Sequence, residues 1–148
     1  MQGEKMNLKK LSAAIVVSFI ILLVTGYLIH GVWLANTYKE MRASGMSFRP
    51  ENAMMHKMWV IWVSNLIYAF LFVFVYARGA ENKPWVGQGI RFVIIATFFT
   101  VVPNTLNDYL VYNIPYTLAV KWMISGLVVL ILMGLVVAGI CKKPAAAA

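Results

Sequence analysis

Charged residues are scarce in this chain of 148 residues, at 12%, while 61% of its residues are hydrophobic. A soluble globular domain carries about 25% charged and about 45–50% apolar residues. The mean hydropathy of +0.77 departs from soluble proteins in the same direction. These values exclude an ordinary soluble domain and indicate an integral membrane protein.

Cysteine is almost absent, since Cys141 is the single one. One thiol forms no internal disulfide, and it excludes a membrane oxidoreductase that works with a redox-active cysteine pair. The sequence also lacks a glycine-rich phosphate loop, because Gly87–Gly89 is too short to serve as one. We therefore expect no flavin or nucleotide site.

The chain does contain four long apolar runs, each with the roughly 20 residues needed to cross a bilayer. Lipid offers no hydrogen bonds to the backbone, so such runs become helices. We predict an all-α integral membrane protein, an antiparallel four-helix bundle whose third helix is kinked at Pro103. It forms a single membrane domain, residues 1–148, with helices at about 11–35, 58–77, 89–112 and 116–141 and an extramembrane loop at 36–57.

The net charge of +8 comes from basic residues at the ends of these runs, where they anchor helices at the membrane surface. This placement argues against nucleic acid as a partner. Lysines and arginines number eight at the two termini and the second loop, against four in the first loop. We therefore predict a multi-pass protein of the cell inner membrane with both termini in the cytoplasm.

Polar residues gather at one depth, in the outer half of the predicted bundle. On the third helix, threonine and asparagine side chains recur at helical spacing, which produces a continuous polar stripe. Polar groups avoid lipid, so we expect them to face the bundle interior or a cavity. The predicted intramembrane polar cluster contains His30, Asn65, Asn104, Asn107, Asp108 and Lys121.

Two of these residues carry opposite charges at matched depth on adjacent helices. Asp108 and Lys121 each lie roughly 7–9 Å below the outer ends of their helices, at about 1.5 Å of rise per residue. An ion pair between them relieves part of the cost of placing a charge in the membrane. The alternative is that Lys121 extends to the headgroups while water reaches Asp108 from the loop.

Methionine and histidine side chains in the first loop raise the separate possibility of a bound metal or cofactor. Met54, Met55, His56 and Met58 offer thioethers and an imidazole of the kind that bind Cu(I). The simpler explanation is an amphipathic segment whose methionines lie at the membrane interface. His30 and His56 are the only histidines, and a haem between them is geometrically conceivable. Beyond these alternatives we expect no cofactor.

Function is less constrained than fold. The chain resembles, in general terms, small four-helix bacterial inner-membrane proteins. Its small-residue faces and slight extramembrane mass favour a non-enzymatic accessory or structural subunit that packs against other membrane subunits or against itself. One alternative is a transporter or channel for a small solute, an ion or protons, acting as an oligomer. Another is a membrane enzyme acting on an amphiphilic substrate, although no nucleophile or metal constellation supports it.

Overall fold

The computed structural model describes residues 7–46, 49–81 and 83–142, and these residues form helices joined by short turns. Two of the helices contain a π-helical turn, at Tyr27–Trp33 and at Thr97–Val101. The helices are α1 (Leu8–Trp33), α2 (Ala35–Ala43), α3 (Glu51–Met55), α4 (Met58–Gly79), α5 (Trp85–Val111) and α6 (Tyr116–Cys141).

Four of these helices, α1, α4, α5 and α6, are long and apolar enough to cross a membrane, which confirms the predicted number of such helices. The predicted loop at 36–57, by contrast, contains α2 and α3. The hydropathy signal missed α2 because it is short and polar, yet it buries Met41 beside Leu118 of α6. We call the end of the bundle that carries α2 the outer end, and the opposite end the inner end.

The inner half of the bundle is closely packed. Its core joins residues from all four long helices, among them Ala14, Val73, Val93 and Met133, all buried. Bulky rings of α4 and α5 close one side, where Phe72 meets Phe92 edge-on at 4.9 Å between centroids. Small residues that let helices approach closely are buried within this bundle at Ala14 and Ser18 of α1 and at Gly134 and Ala138 of α6.

The closest approach of two helices occurs between α5 and α6. A Cβ added to Gly89 would lie 3.0 Å from the Gly134 carbonyl oxygen and 3.1 Å from the Ala138 Cβ. A Cβ on Gly134 would lie only 2.2 Å from Cγ2 of Val93. Glycine at both positions therefore lets the two backbones touch, and Gly89 of the "GQG" stretch has a packing role.

The turn between α4 and α5 is held by Gln88. Its side-chain amide donates to the carbonyls of Glu81 and Lys83, each at 2.7 Å, and its oxygen accepts from the Glu81 N–H at 2.6 Å. The Glu81 carboxylate pairs with Lys83 and lies 3.9 Å from Arg91. The hydrogen bond from Lys83 holds the pKa of Glu81 below its usual value, and the positive charge of Lys83 lowers it further.

At the same end of the bundle, the Lys10 ammonium donates to the Lys142 carbonyl at 3.2 Å.

The outer half is more open. A small second core joins α2 to the start of α6, with Leu34, Ile114 and Leu118 buried in it. Residues 58–64, the first turns of α4, are exposed on every side of the helix and lie outside the packed inner core. The bundle is therefore closed at its inner end and open at its outer end.

The contact at Gly134 yields the first testable prediction. We expect Gly134→Ala to destabilise the protein by about 1–3 kcal/mol, because the new methyl group overpacks against the buried Val93. Adding Val93→Ala should restore part of the loss. Thermal unfolding in mild detergent measures both. Gly139→Ala is the matched control on the same helix, because its Cβ would meet Trp85 at an ordinary 3.7 Å. Equal melting temperatures for the two alanine variants would contradict this packing.

A polar cavity in the outer half of the bundle

A cavity of about 490 Å³ opens between α1, α4, α5 and α6 in the outer half of the bundle. Its walls are mostly apolar, with Leu22, Ile61 and Leu130 among them. Polar side chains interrupt these walls from all four helices. They are Thr25, His30, Asn65, Tyr68, Thr100, Asn104, Thr105, Trp122 and Ser125.

Three members of the predicted polar cluster, His30, Asn65 and Asn104, line this cavity. The other three do not. Asn107 is exposed, and Asp108 and Lys121 are half-buried, and none of the three is among the residues that line the cavity. Asp108 and Lys121 form no ion pair with one another in the described structure.

The polar stripe of α5 explains how Asn104 reaches the cavity. Thr97, Thr100 and Asn104 follow one another at intervals of three and four residues, which places them along one face of the helix. Thr97 is buried against the inner core, and Thr100 and Asn104 come next toward the outer end. Asn107 continues the spacing but is exposed and does not line the cavity.

A hydrogen-bonded trio ties the rim of the cavity together. The Tyr38 hydroxyl accepts from the indole N–H of Trp122 at 2.9 Å and lies 2.7 Å from Nδ1 of His30. The rings of His30 and Tyr38 are also stacked. Burial raises the pKa of Tyr38, and the Trp122 hydrogen bond opposes that effect only in part, so the hydroxyl stays protonated at neutral pH. The trio links α1, α2 and α6 and fixes the imidazole of His30.

Both π-helical turns lie beside this cavity. The first contains His30 and ends where the Leu34 N–H donates to the Ile29 carbonyl, five residues back, at 2.8 Å. The second directly precedes Pro103, and there the Val102 N–H reaches the Thr97 carbonyl. A widened turn accommodates a proline ring, which clashes with the carbonyl four residues earlier in a regular helix. Such turns are frequent at functional sites.

The hydroxyl groups and the amides of the cavity differ in how they are satisfied. Thr25 donates to the Ile21 carbonyl at 2.6 Å, and Ser125 donates to the Trp122 carbonyl at 3.0 Å. Thr100 likewise donates to its own helix, at Ala96. The side chains of Asn65 and Asn104 form no hydrogen bond with the described residues. The side-chain amides of Asn65 and Asn104, together with the hydroxyl group of Thr105, are therefore available to a molecule in the cavity.

The methionines and the histidine proposed for copper lie in and after α3. Met54, Met55, His56 and Met58 are all exposed, Met55 at 74%. Among residues 7–46, 49–81 and 83–142, no three His, Cys, Asp or Glu side chains come close enough to hold a metal. His30 has Nδ1 hydrogen-bonded to Tyr38, and His56 lies in the turn before α4. Copper at the methionines and haem between the histidines stay predictions.

Sequence reasoning missed the role of Tyr38. This residue falls eight positions beyond His30, in a segment assigned to a loop, and no helical periodicity links the two across the break at Leu34.

No protein-family model matches the chain, and no curated protein or solved structure is significantly similar to it.

The trio gives a second prediction. Tyr38→Phe removes the acceptor of Trp122 and the partner of His30, so we expect a loss of about 1–3 kcal/mol for two hydrogen bonds. Tyr27→Phe, at an exposed position of α1, is the control and should be neutral. Chemical or thermal unfolding of both variants, with Trp122→Phe added to complete a double-mutant cycle, tests the coupling. Additive effects of Tyr38→Phe and Trp122→Phe would refute it.

Proposed function

We propose that this protein is a non-enzymatic accessory or structural subunit of a membrane complex, and that it docks through the outward face of α4. The observation that carries the proposal is the exposure of residues 58–64 on all sides of that helix. Because the first two turns of α4 are exposed on every side, they can pack against another protein.

The outward face of α4 has the shape that helix packing requires. Trp59, Val60, Val63, Ser64 and Ile67 line a shallow groove of about 240 Å³ along one side of the helix. Ridges of a second helix fit into such grooves, and a small residue such as Ser64 lets backbones approach. The same helix turns Ile61, Asn65 and Tyr68 toward the cavity, so docking on the outward face leaves the cavity untouched.

The distribution of mass supports an accessory role. Outside the four spans, the described residues form α2, α3 and short turns. Most of the described part of the protein therefore lies within the four membrane spans, where it can contact other membrane proteins. Transport is the weaker candidate, because the inner core closes the cavity with Leu130, Val73 and Met133, so a conduction path would need a second copy.

The proposal includes an antiparallel bundle. Contacts between α5 and α6 run in opposite directions along the chain: Trp85 meets Gly139, Gly89 meets Gly134, and Val101 meets Gly126. The Lys10 to Lys142 contact brings the start of α1 to the end of α6.

We place this inner end of the bundle in the cytoplasm of a cell with an inner membrane, because it carries more basic residues. The widened turn before Pro103 supports a kink in α5.

Cross-linking tests the docking face. In a Cys141→Ser background, Val63→Cys puts the only thiol in the groove of α4. We expect a short bifunctional thiol reagent, applied to native membranes, to give a discrete product larger than the monomer. Mass spectrometry of that product distinguishes another subunit from a second copy of this chain.

Val73→Cys is the matched control, because Val73 lies on the same helix but is fully buried in the inner core. It should give no product. Recovery of Val63→Cys as a monomer alone from native membranes would overturn the proposed docking.

Topology is tested separately with thiol reagents. We expect Cys141 to resist a membrane-impermeant maleimide added outside intact cells lacking an outer membrane barrier, and to react after permeabilisation. Lys39→Cys, in the Cys141→Ser background, should react from outside because α2 lies at the opposite end. The reverse pattern would invert the orientation.

A further inference from the structure

We propose that the cavity in the outer half of the bundle binds an uncharged amphiphile with a hydrogen-bonding headgroup. The proposal goes beyond the subunit role, since it concerns the cavity-facing side of α4 and does not depend on which protein docks on the opposite face of that helix.

The size and walls of the cavity suit a small molecule. Its volume of about 490 Å³ falls within the range of about 300–1,000 Å³ typical of ligand sites. Walls of Leu22, Ile29 and Val129 present apolar surface, and a few polar groups converge among them. Ligand sites combine these two features, because apolar area gives affinity and the polar groups fix orientation.

The available polar groups define the headgroup. Asn65 from α4 and Asn104 from α5 each offer an amide donor and an amide acceptor that no described residue uses. His30 adds a ring whose position is fixed through Nδ1, which leaves Nε2 as the nitrogen able to meet a ligand. Polar groups at membrane depth are costly when unpaired, so a headgroup that both donates and accepts stabilises this arrangement.

The charges around the cavity exclude an ionised headgroup. No Asp, Glu, Lys or Arg is among the residues that line it. Asp108 and Lys121 lie outside the wall. A carboxylate, phosphate or ammonium placed here would be removed from water without a counter-charge, which disfavours binding.

The apolar tail of the proposed amphiphile can leave the cavity along α4. Ile61 lines the cavity and is still 49% exposed, so the wall is thin at this point and open toward the surrounding lipid. A ligand with its headgroup between Asn65 and Asn104 can extend an acyl or other apolar tail past Ile61 into the bilayer.

A photolabelling experiment with the full chain in lipid nanodiscs tests this. The probe is a monoacylglycerol with a diazirine in its acyl chain, compared with the same chain on a phosphate headgroup. We expect the neutral probe to label peptides of α4 and α5 around the cavity, at least several-fold more than the anionic one. Asn65→Leu and Asn104→Leu should each reduce labelling about three- to ten-fold, as the loss of one hydrogen bond predicts.

Two glycine variants separate binding from folding. Gly26 lines the cavity and a Cβ there meets no atom within 4 Å, so we expect the side chain introduced by Gly26→Leu to occupy the cavity. Gly87→Leu is the matched control, because its Cβ also meets nothing and it lies outside the cavity. We expect Gly26→Leu to abolish labelling and Gly87→Leu to retain it.

Three outcomes would overturn the proposal: equal labelling by both probes, labelling that survives Gly26→Leu, or no labelling by either probe, which indicates a water-filled vestibule. The cross-linking of Val63→Cys is unaffected by any of them, so the docking proposal stands or falls on its own.

Discussion

The contact between Gly89 and Gly134 is the constraint on which the rest of this bundle depends. Because neither residue has a side chain, α5 and α6 approach until the backbone of one meets the other, and Val93 packs into the space above Gly134. Association of membrane helices is driven by such packing, since lipid tails compete equally well for apolar side chains. Close packing at the inner end holds the four helices together, and this allows the outer end to separate without loss of the fold.

The separation at the outer end explains where the polar residues lie. A polar side chain in hydrocarbon needs a partner, and Thr25, Thr100 and Ser125 find one in a carbonyl of their own helix. The amides of Asn65 and Asn104 form no hydrogen bond with the described residues, and they line the space that opens between α4 and α5. The inner half carries the apolar contacts that stabilise the bundle, and the outer half carries the polar side chains that line the cavity. The two halves therefore differ in chemistry because they differ in how closely the helices approach.

Hydropathy predicted the four spans because it depends only on local sequence, and helical spacing brought out the stripe that takes Thr100 and Asn104 to the cavity. The same reasoning placed Asp108 and Lys121 at matched depth, and the structure does not join them. Depth follows from counting residues, but the direction of a side chain depends on rotation about the helix axis, which the count does not give. Widened turns in α1 and α5 change that rotation, and only the one before Pro103 has a sequence signal. Tyr38 was missed for a related reason, because the chain changes direction at Leu34 and periodicity stops there.

The two widened turns connect the shape of the bundle with its chemistry. A π-helical turn adds a residue to the circumference of a helix, so side chains beyond it point in a new direction while the helix continues. In α1 this turn carries His30 toward Tyr38 and Trp122, and in α5 it precedes Asn104 at the cavity wall. The irregular turns therefore mark the level at which the bundle changes from a packed core to an open site, and His30 and Asn104 lie on the open side of it.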